Sequence, residues 1–352
     1  MLISRFLNSS IHNQKHHNFK GMKAIIPVAG AGTKLRPHTY TQPKALIPMA
    51  GKTILSVIVD ALLANGVEEF IFIIGYLGDK IQDYISKTYP SLRCTFVTQN
   101  DRRGTGHAIW LTKDAVNNDE VMIVFGDTIC DFNIKKVLNN PVSQIGVRRV
   151  DDPRLFGVAE LDQADRVLRV TEKPLIPKSN MAMVGVYKII ETAALFTALD
   201  TYLHDRADAD GEYHLTHALQ TMIENGVRFD AFRVNNWFDC GKKETLLETN
   251  ATLLKNMNDR TNDPPPQFAD TVIIPPVSIG KGCTIEHSII GPSVSIGDNT
   301  VVRSSIIRNS IIGSFAELDE VVLKSSIIGS DAYVHGLSQS LNIGDNTDID
   351  LG

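Results

Sequence analysis

In the last part of the chain an aliphatic residue, often followed by glycine, returns about every five or six positions. The series runs Val277-Ser278-Ile279-Gly280, Ile285, Ile290-Gly291, Ile296-Gly297, Val302, Ile307, Ile312-Gly313, Ile328-Gly329 and Ile343-Gly344. Such a period builds very short strands separated by corners, and stacking successive turns buries the aliphatic columns in a parallel β-helix. An antiparallel β-sandwich also uses short strands, but no alternating stretch here is long enough for a sandwich sheet. Ahead of the repeat stands Asn258-Asp259-Arg260-Thr261-Asn262-Asp263-Pro264-Pro265-Pro266, a polar, proline-rich segment that can neither continue a helix nor pack well. It reads as a linker over 259–268, between a first domain over 22–258 and a repeat domain over 269–352. A chain of 352 residues, at roughly 150 per domain, has room for both.

The first domain alternates strand and helix. Lys23 to Val28 is a short apolar run that ends in a glycine-rich turn. Ile54 to Asn65 carries Leu55, Ile58, Val59, Leu62 and Leu63 at helical spacing, closed by Gly66. Glu69 to Gly75 reads as a second buried strand and Lys80 to Tyr89 as a helix stopped by Pro90. Cys94 to Thr98 and Val121 to Phe125 supply further strands, and a helical stretch after Trp237 runs to Lys255. This alternation predicts an α/β domain with a Rossmann-like, mostly parallel sheet. In such sheets ligands bind beyond the carboxyl ends of the strands, which gathers the turns at Ala29 to Arg36, Gln99 to His107 and Gly126 to Thr128 on one edge.

Charge and composition narrow the partners. Apolar residues make up 43% and charged residues 21%, an ordinary globular balance. With a net charge of −5 there is no overall positive field to gather a phosphate backbone, so nucleic acid is not the expected partner. No apolar run approaches the ~18 residues of a membrane span, so no membrane role is expected. Cys94, Cys130, Cys240 and Cys283 are widely spaced with no C-x-x-C pair, which fits neither a zinc site nor a disulfide framework and suits a reducing cytoplasm. Residues 1–21 contain Arg5, Lys15 and Lys20 and no acid, and lack the apolar stretch of a secretory signal. They read as a disordered extension ahead of a beginning at Met22, with an organellar transit peptide as the alternative.

The first turn is Val28-Ala29-Gly30-Ala31-Gly32-Thr33-Lys34-Leu35-Arg36-Pro37, followed by Gln42-Pro43-Lys44. Glycines after a strand let backbone N–H groups converge on an anion, and Lys34, Arg36 and Lys44 add positive charge where a polyphosphate would lie. The turn is no dinucleotide fingerprint, because Leu35 stands where a third glycine is needed. Nor is Gly51-Lys52-Thr53 a Walker loop, since Leu46 occupies the place of its first glycine.

The whole string AGAGTKLRPHTYTQPK resembles the signature of the sugar-1-phosphate nucleotidyltransferases, GGxGTRLxPxTxxxPK, and the likeness continues through PMAGKTIL and GYLGDKI to about residue 250. The repeat tail is similar to that of long members of the family, which implies a left-handed, hexapeptide-repeat β-helix. The resemblance implies that Ala29, Gly30, Gly32 and Thr33 wrap the nucleotide phosphates and that Gln99, Gly104 and Thr105 recognise the base. It implies that Asp127, in Val124-Phe125-Gly126-Asp127, and Asp239, in Trp237-Phe238-Asp239-Cys240-Gly241, hold Mg²⁺. Lys44 matches the signature lysine, and Lys34 stands where the family has arginine. Gly157, Glu172, Gly185 and Tyr187 match the sugar-side motifs, with Lys173 beside them. The catalytic cations are then Lys34, Lys44 and Lys173.

The chemistry needs these residue types. Joining a hexose 1-phosphate to a nucleoside triphosphate brings two polyanions together, and in-line attack on the α-phosphorus is slow until charge is neutralised. Two carboxylates can hold one hard cation that keeps waters and takes substrate phosphates as its other ligands, while lysines clamp the phosphates. Glucose 1-phosphate with dTTP or UTP is the expected pair, and mannose 1-phosphate with GTP the alternative. Lys34 keeps the charge of the family arginine but loses its planar fork. That departure motivates a second class of reading, a regulatory subunit that binds nucleotide sugar without turnover.

Three further features have plainer readings. His214 and His217 can share a helix face but lack a third metal ligand, and read as surface or hydrogen-bonded histidines. Glu212, in Gly211-Glu212-Tyr213-His214-Leu215-Thr216, matches a family segment near the sugar or serves as a helix-start carboxylate. His287 and His335 would be needed for an acyltransferase tail. The reading preferred for the repeat is assembly, which makes a homo-oligomer through the β-helix the expected state.

Overall fold

The structure, a computed structural model, describes residues 22–204, 211–259 and 266–336. The N-terminal extension, most of the proline-rich linker and the last Ile-Gly pair, Ile343-Gly344, lie outside the described residues. The chain forms two compact units that divide between Thr249 and Asn250.

In the first unit, β1 (Met22–Pro27) is the apolar run that opens the sequence pattern. A minor hairpin, β2 (Pro48–Met49) with β3 (Lys52–Thr53), leads to α1 (Ile54–Leu63). The Thr53 side chain caps α1 by accepting from the amide of Ser56, which satisfies one of the orphan donors of the first turn. Next come β4 (Glu69–Ile74), α2 (Gly78–Thr88), β5 (Arg93–Thr98), α3 (Thr105–Trp110) and α4 (Lys113–Val116). The chain continues through β6 (Glu120–Val124), β7 (Thr128–Cys130), α5 (Ile134–Leu138), β8 (Ser143–Arg149), β9 (Val158–Leu161), β10 (Val167–Thr171) and β11 (Met181–Ile189). It closes with α6 (Thr192–His204), α7 (Leu215–Glu224), β12 (Phe229–Arg233) and β13 (Trp237–Asp239), and the division between the units falls within α8 (Lys243–Asn258).

The strands run β10-β9-β11-β6-β1-β4-β5 across a nine-stranded sheet that β8 and β12 complete. β6, β1, β4 and β5 are parallel, and β12 is parallel to β8. β11 is antiparallel to β6 and continues the sheet into the antiparallel β9 and β10. Strands buried on both faces need unbroken apolar runs, which is what Phe70-Ile71-Phe72-Ile73-Ile74 and Val121-Met122-Ile123-Val124 supply. Beyond the carboxyl ends of β1, β4, β5 and β6 lie the loops that carry the sequence motifs. Cys130 and Trp237 pair across the small antiparallel ladder of β7 with β13, and this ladder brings a late segment of the unit beside the end of β6.

The second unit is built from three parallel sheets of four short strands each, the arrangement of the left-handed parallel β-helix that the repeat and the family likeness imply. Every strand pair among its described residues is parallel, which removes the sandwich alternative. One inward column stacks Ile273, Ile290, Ile307 and Leu323. Corners take left-handed backbone at non-glycine residues, among them Asp270, His287, Ser304 and Glu320, one above the other in successive turns. Buried serines complete the backbone pairing: the hydroxyl of Ser288 accepts from the amide of Ser305, and that of Ser305 from the amide of Val321. Among the described residues no helix is long and apolar enough to cross a membrane.

Candidate active site

The glycine-rich turn after β1 is shaped by one residue. Gly32 has φ of 59°, and a Cβ there would stand 3.0 Å from both Lys44 Cβ and Thr39 Cγ2, so only glycine lets the turn close on Lys44. Thr39 locks it by donating its hydroxyl to the carbonyl of Gly32 at 2.8 Å. At Gly30 a Cβ would meet nothing within 4 Å, so the loop faces open space there. Ala29 is buried beside Gly75, whose missing Cβ would come within 2.9 Å of the Ala29 methyl. Thr33 and Lys34 begin a single 3₁₀ turn, with Lys34 exposed.

Two carboxylates meet at the signature lysine. Lys44 Nζ lies 2.6 Å from Asp127 Oδ2 and 3.9 Å from Asp239 Oδ1. Asp127 leaves the end of β6 through Gly126, where a Cβ would be 2.3 Å from Val28 Cγ1, so the strand end and the start of the glycine-rich turn touch backbone to side chain. Asp239 ends β13, and the amide of the next residue, Cys240, donates to the carbonyl of Asp127 at 3.0 Å. The carboxyl of Asp239 is pushed up from its ordinary value by loss of surrounding water and then by the charge of Asp127, against the pull of Lys44 and Lys34. About half of its side chain still meets solvent.

This donor set fits a hard divalent cation. Two carboxylates converge on one ammonium, which stands in for a cation at their meeting point. Among the described residues no third His, Cys, Asp or Glu joins them. Such a pair suits Mg²⁺, which is held by one or two carboxylates and fills its remaining places with waters and substrate phosphates.

The next loop frames one wall. Gln99 is buried after β5, and its Nε2 lies 3.2 Å from the carbonyl of Gly104 and 3.1 Å from His107 Nδ1. Its amide therefore braces the loop from within. Gly104 has φ of 92°, and a Cβ there would be 2.6 Å from the carbonyl oxygen of Tyr213. Thr105 accepts the amide of Leu215 at 3.0 Å, Gly106 donates to the Tyr213 carbonyl at 2.6 Å, and Tyr213 donates to the Arg103 carbonyl at 2.8 Å. Burial lowers the pKa of His107, whose ring stacks on Trp110.

The opposite wall carries the sugar-side motifs. The amide of Lys173 donates to the carbonyl of Phe156, and that of Met183 to Gly157. A Cβ at Gly157 would stand 2.4 Å from Met183 Cε. Glu172 is largely enclosed; its Oε2 accepts the hydroxyl of Thr216 at 2.6 Å, and its Oε1 lies 3.7 Å from Lys173 Nζ. Gly185, with φ of 76°, lets Phe125 pack over it. Tyr187 lies in the core of the unit, its ring 5.8 Å from Phe125, and burial followed by the charge of Glu172 raises the pKa of its phenol.

Several sequence-based expectations shift in detail. The helix expected to carry both histidines begins at Leu215, so His214 occupies the N-cap position just outside it and is buried, 3.9 Å from Glu172, while the ring of His217 is tilted against that of Tyr202 at 5.1 Å. Glu212 precedes the cap and is not a helix-start carboxylate. It lies against Gly104, whose missing Cβ would be 3.0 Å from Glu212 Cβ. Thr216 and Tyr213 were not singled out by sequence. They belong to the same Gly211–Thr216 string as Glu212, and their role depends on contacts with loops far away in the chain.

The family profile described as nucleotidyl transferase matches residues 23–256. The chain belongs to the nucleotidyl transferase family. This nucleotidyl transferase is 31% identical over 280 residues to a glucose-1-phosphate thymidylyltransferase of Streptomyces antibioticus, covering 77% of each chain. It is 28% identical over 333 residues to the glucose-1-phosphate thymidylyltransferase of Streptomyces griseus, covering 91% of this chain and 89% of that one, so the likeness extends into the repeat. In fold it resembles a solved UDP-glucose pyrophosphorylase complexed with UDP-glucose, with a TM-score of 0.58 at 22% identity over 66% of this chain and 98% of that chain.

Proposed function

We propose that this nucleotidyl transferase joins a nucleoside triphosphate to a hexose 1-phosphate, giving a nucleotide sugar and pyrophosphate, with glucose 1-phosphate and dTTP or UTP as its substrates. The observation that carries the reading is the convergence of Asp127, Asp239 and Lys44 beside the phosphate-binding turn. The names of the Streptomyces relatives favour glucose 1-phosphate and dTTP.

In the reaction a phosphate oxygen of the hexose 1-phosphate attacks the α-phosphorus, the bond to the bridging oxygen breaks, and pyrophosphate leaves. The nucleophile is already ionised at neutral pH, so the protein supplies position and counter-charge and needs no covalent intermediate. Gly30, Gly32 and Thr33 hold the nucleotide phosphates, Ala29 packs behind them, and Lys34 and Lys44 place positive charge on their oxygens. Asp127 and Asp239 hold Mg²⁺, which when bound neutralises the phosphates. Gln99, Gly104 and Thr105 form the wall against the base. Gly157, Glu172 and Gly185 shape the sugar side, with Tyr187 supporting it from the core, and Lys173 faces the phosphate of the hexose. Residues 22–258 are the catalytic domain, 259–268 the linker, and 269–352 the domain through which copies of the chain assemble. The four free thiols are consistent with a cytoplasmic enzyme.

The test is pyrophosphate release with Mg²⁺ across dTTP, UTP, GTP, CTP and ATP against glucose, mannose, galactose and N-acetylglucosamine 1-phosphates. One preferred pair, lost on chelation of the metal, is the expected result. Silence across the grid while nucleotide sugar still binds would replace the enzyme with a regulatory subunit.

A further inference from the structure

Glu172 is a carboxylate whose side chain keeps only 17% of its exposure, and a charge so enclosed needs partners. Its two oxygens are treated differently. Oε2 is anchored by the hydroxyl of Thr216 at 2.6 Å, the length of a charge-assisted bond. Oε1 lies 3.7 Å from Lys173 Nζ and 3.9 Å from His214 Nδ1, beyond hydrogen-bond length. One fixed oxygen sets the plane of the carboxylate and aims the other.

The anchor is itself held. Thr216 is buried in the first turn of α7, and its branched side chain has few rotamers to choose from. Immediately before it, Leu215 donates to Thr105 Oγ1, and Tyr213 is bonded at both ends to Arg103 and Gly106. The segment Tyr213–Thr216 thus touches the nucleotide wall at one end and the sugar wall at the other. Gly157 leaves the room for this bond: a Cβ there would stand 3.2 Å from Glu172 Oε2 and 3.3 Å from Thr216 Oγ1.

We propose that Thr216 is a positioning residue for the hexose 1-phosphate: its hydroxyl fixes the Glu172 carboxylate so that the free oxygen accepts from a sugar hydroxyl, and its segment ties that geometry to the nucleotide wall. The inference rests on the reading of Glu172 as a sugar-side group.

Steady-state kinetics with glucose 1-phosphate and dTTP, or the pair that the substrate grid prefers, tests it. Thr216→Val keeps the shape and removes the donor. The expected result is a rise of about tenfold in KM for the hexose 1-phosphate, the size of a lost bond to a charged group, with kcat and the nucleotide KM within about twofold. Thr216→Ser restores the donor and should restore KM, and Thr216→Ala gives a second deletion should the valine variant fold poorly. In a Glu172→Gln background the valine substitution should add nothing, because the aimed carboxylate is already gone. A bond that only tied loop to helix would leave the hexose KM unchanged or raise both KM values together, and either pattern would overturn the proposal. If Glu172→Gln raises the hexose KM and neither deletion at position 216 does, the positioning role fails and the sugar-side reading stands. If Glu172→Gln leaves that KM unchanged, both fall.

Discussion

The two units of this chain obey opposite rules. In the β-helix each turn repeats the one before it: Ile289 pairs with Ile306, and Ile306 with Val322, so every strand pairing among the described residues joins positions 17 or 16 apart. In the nucleotidyl transferase unit no two loops are alike, and the decisive contacts are long. Lys44, Asp127 and Asp239 come from three distant stretches of chain and meet only because β13 pairs with β7 beside the end of β6. A repeat protein is stabilised nearest neighbour by nearest neighbour, so its energetics are spread evenly. An active site concentrates its chemistry in a few groups that contribute little to the core. The comparison therefore predicts a separation: substitutions that destroy turnover should leave the fold intact, and substitutions that loosen the helix should leave turnover intact.

The largest effect should come from the site. Asp127→Asn removes a charge that faces Lys44 and open solvent, with no apolar packing lost. We expect kcat to fall by about a thousandfold, the scale of losing a charge that organises a phosphoryl transfer. The melting temperature should stay within about 2 °C, because a partly exposed ion pair contributes little. Turnover assays and calorimetry on the same preparation decide it. Near-normal turnover would remove Asp127 from the site, and a large loss of stability would mean that the carboxylates hold the unit together.

How much of this was legible in sequence follows the same division. The β-helix declares itself because its period is local: Ile285, Ile290 and Ile296 alone suffice to suggest the corners. The parallel half of the catalytic sheet is equally plain, since β1, β4, β5 and β6 are apolar runs ending in polar turns. The antiparallel continuation through β11 is less so, because its nine residues are all buried and give no alternation to read. At the site, Gly32, Lys44, Asp127 and Asp239 were found through the resemblance of their motifs. Their meeting point could not be read from spacing, because it depends on the pairing of Thr128 with Asp239. Thr216 was hidden for a related reason. A threonine at a helix start is ordinary in sequence, and only the fold brings it to the Glu172 carboxylate. Gln99 is expected to face the base from its motif alone, but that its Nε2 also reaches the Gly104 carbonyl and the His107 ring within its own loop depends on how that loop turns.

The second test works from the other side. Ile307 is fully buried in the β-helix between Ile290 and Leu323, and cutting it to alanine removes apolar contacts that the stacked coils cannot easily close. Ile307→Ala should cost about 2–4 kcal/mol in urea unfolding. Val322→Ala, on the outer face of the same sheet and 77% exposed, should change stability by less than about 0.5 kcal/mol. Turnover of the Ile307 variant at 25 °C, where it remains folded, should stay within about twofold of the parent. A loss of turnover in step with the loss of stability would show that the catalytic unit depends on the helix and would end the separation.

The smallest effect is one of pH, and it returns to the loop after β5. Burial holds the pKa of His107 below its ordinary 6.5, and nearby Arg103 pushes the same way against a weaker pull from Asp101. The unfolded chain therefore takes up this proton at a higher pH than the folded one. Stability linked to His107 is fully present above about pH 6.5 and is lost as the pH falls toward the lowered folded value. Gln99 Nε2 donates to the Gly104 carbonyl and can donate a second hydrogen to Nδ1 only while that nitrogen is unprotonated, so the neutral ring also keeps the loop braced. His107→Gln removes the titrating group and can still hydrogen-bond. The variant should lose less melting temperature than the parent between pH 7 and pH 5, while its nucleotide KM should vary less over the same range. Parallel melting curves for the two proteins would place the acid sensitivity elsewhere and would leave His107 as packing for Trp110 alone.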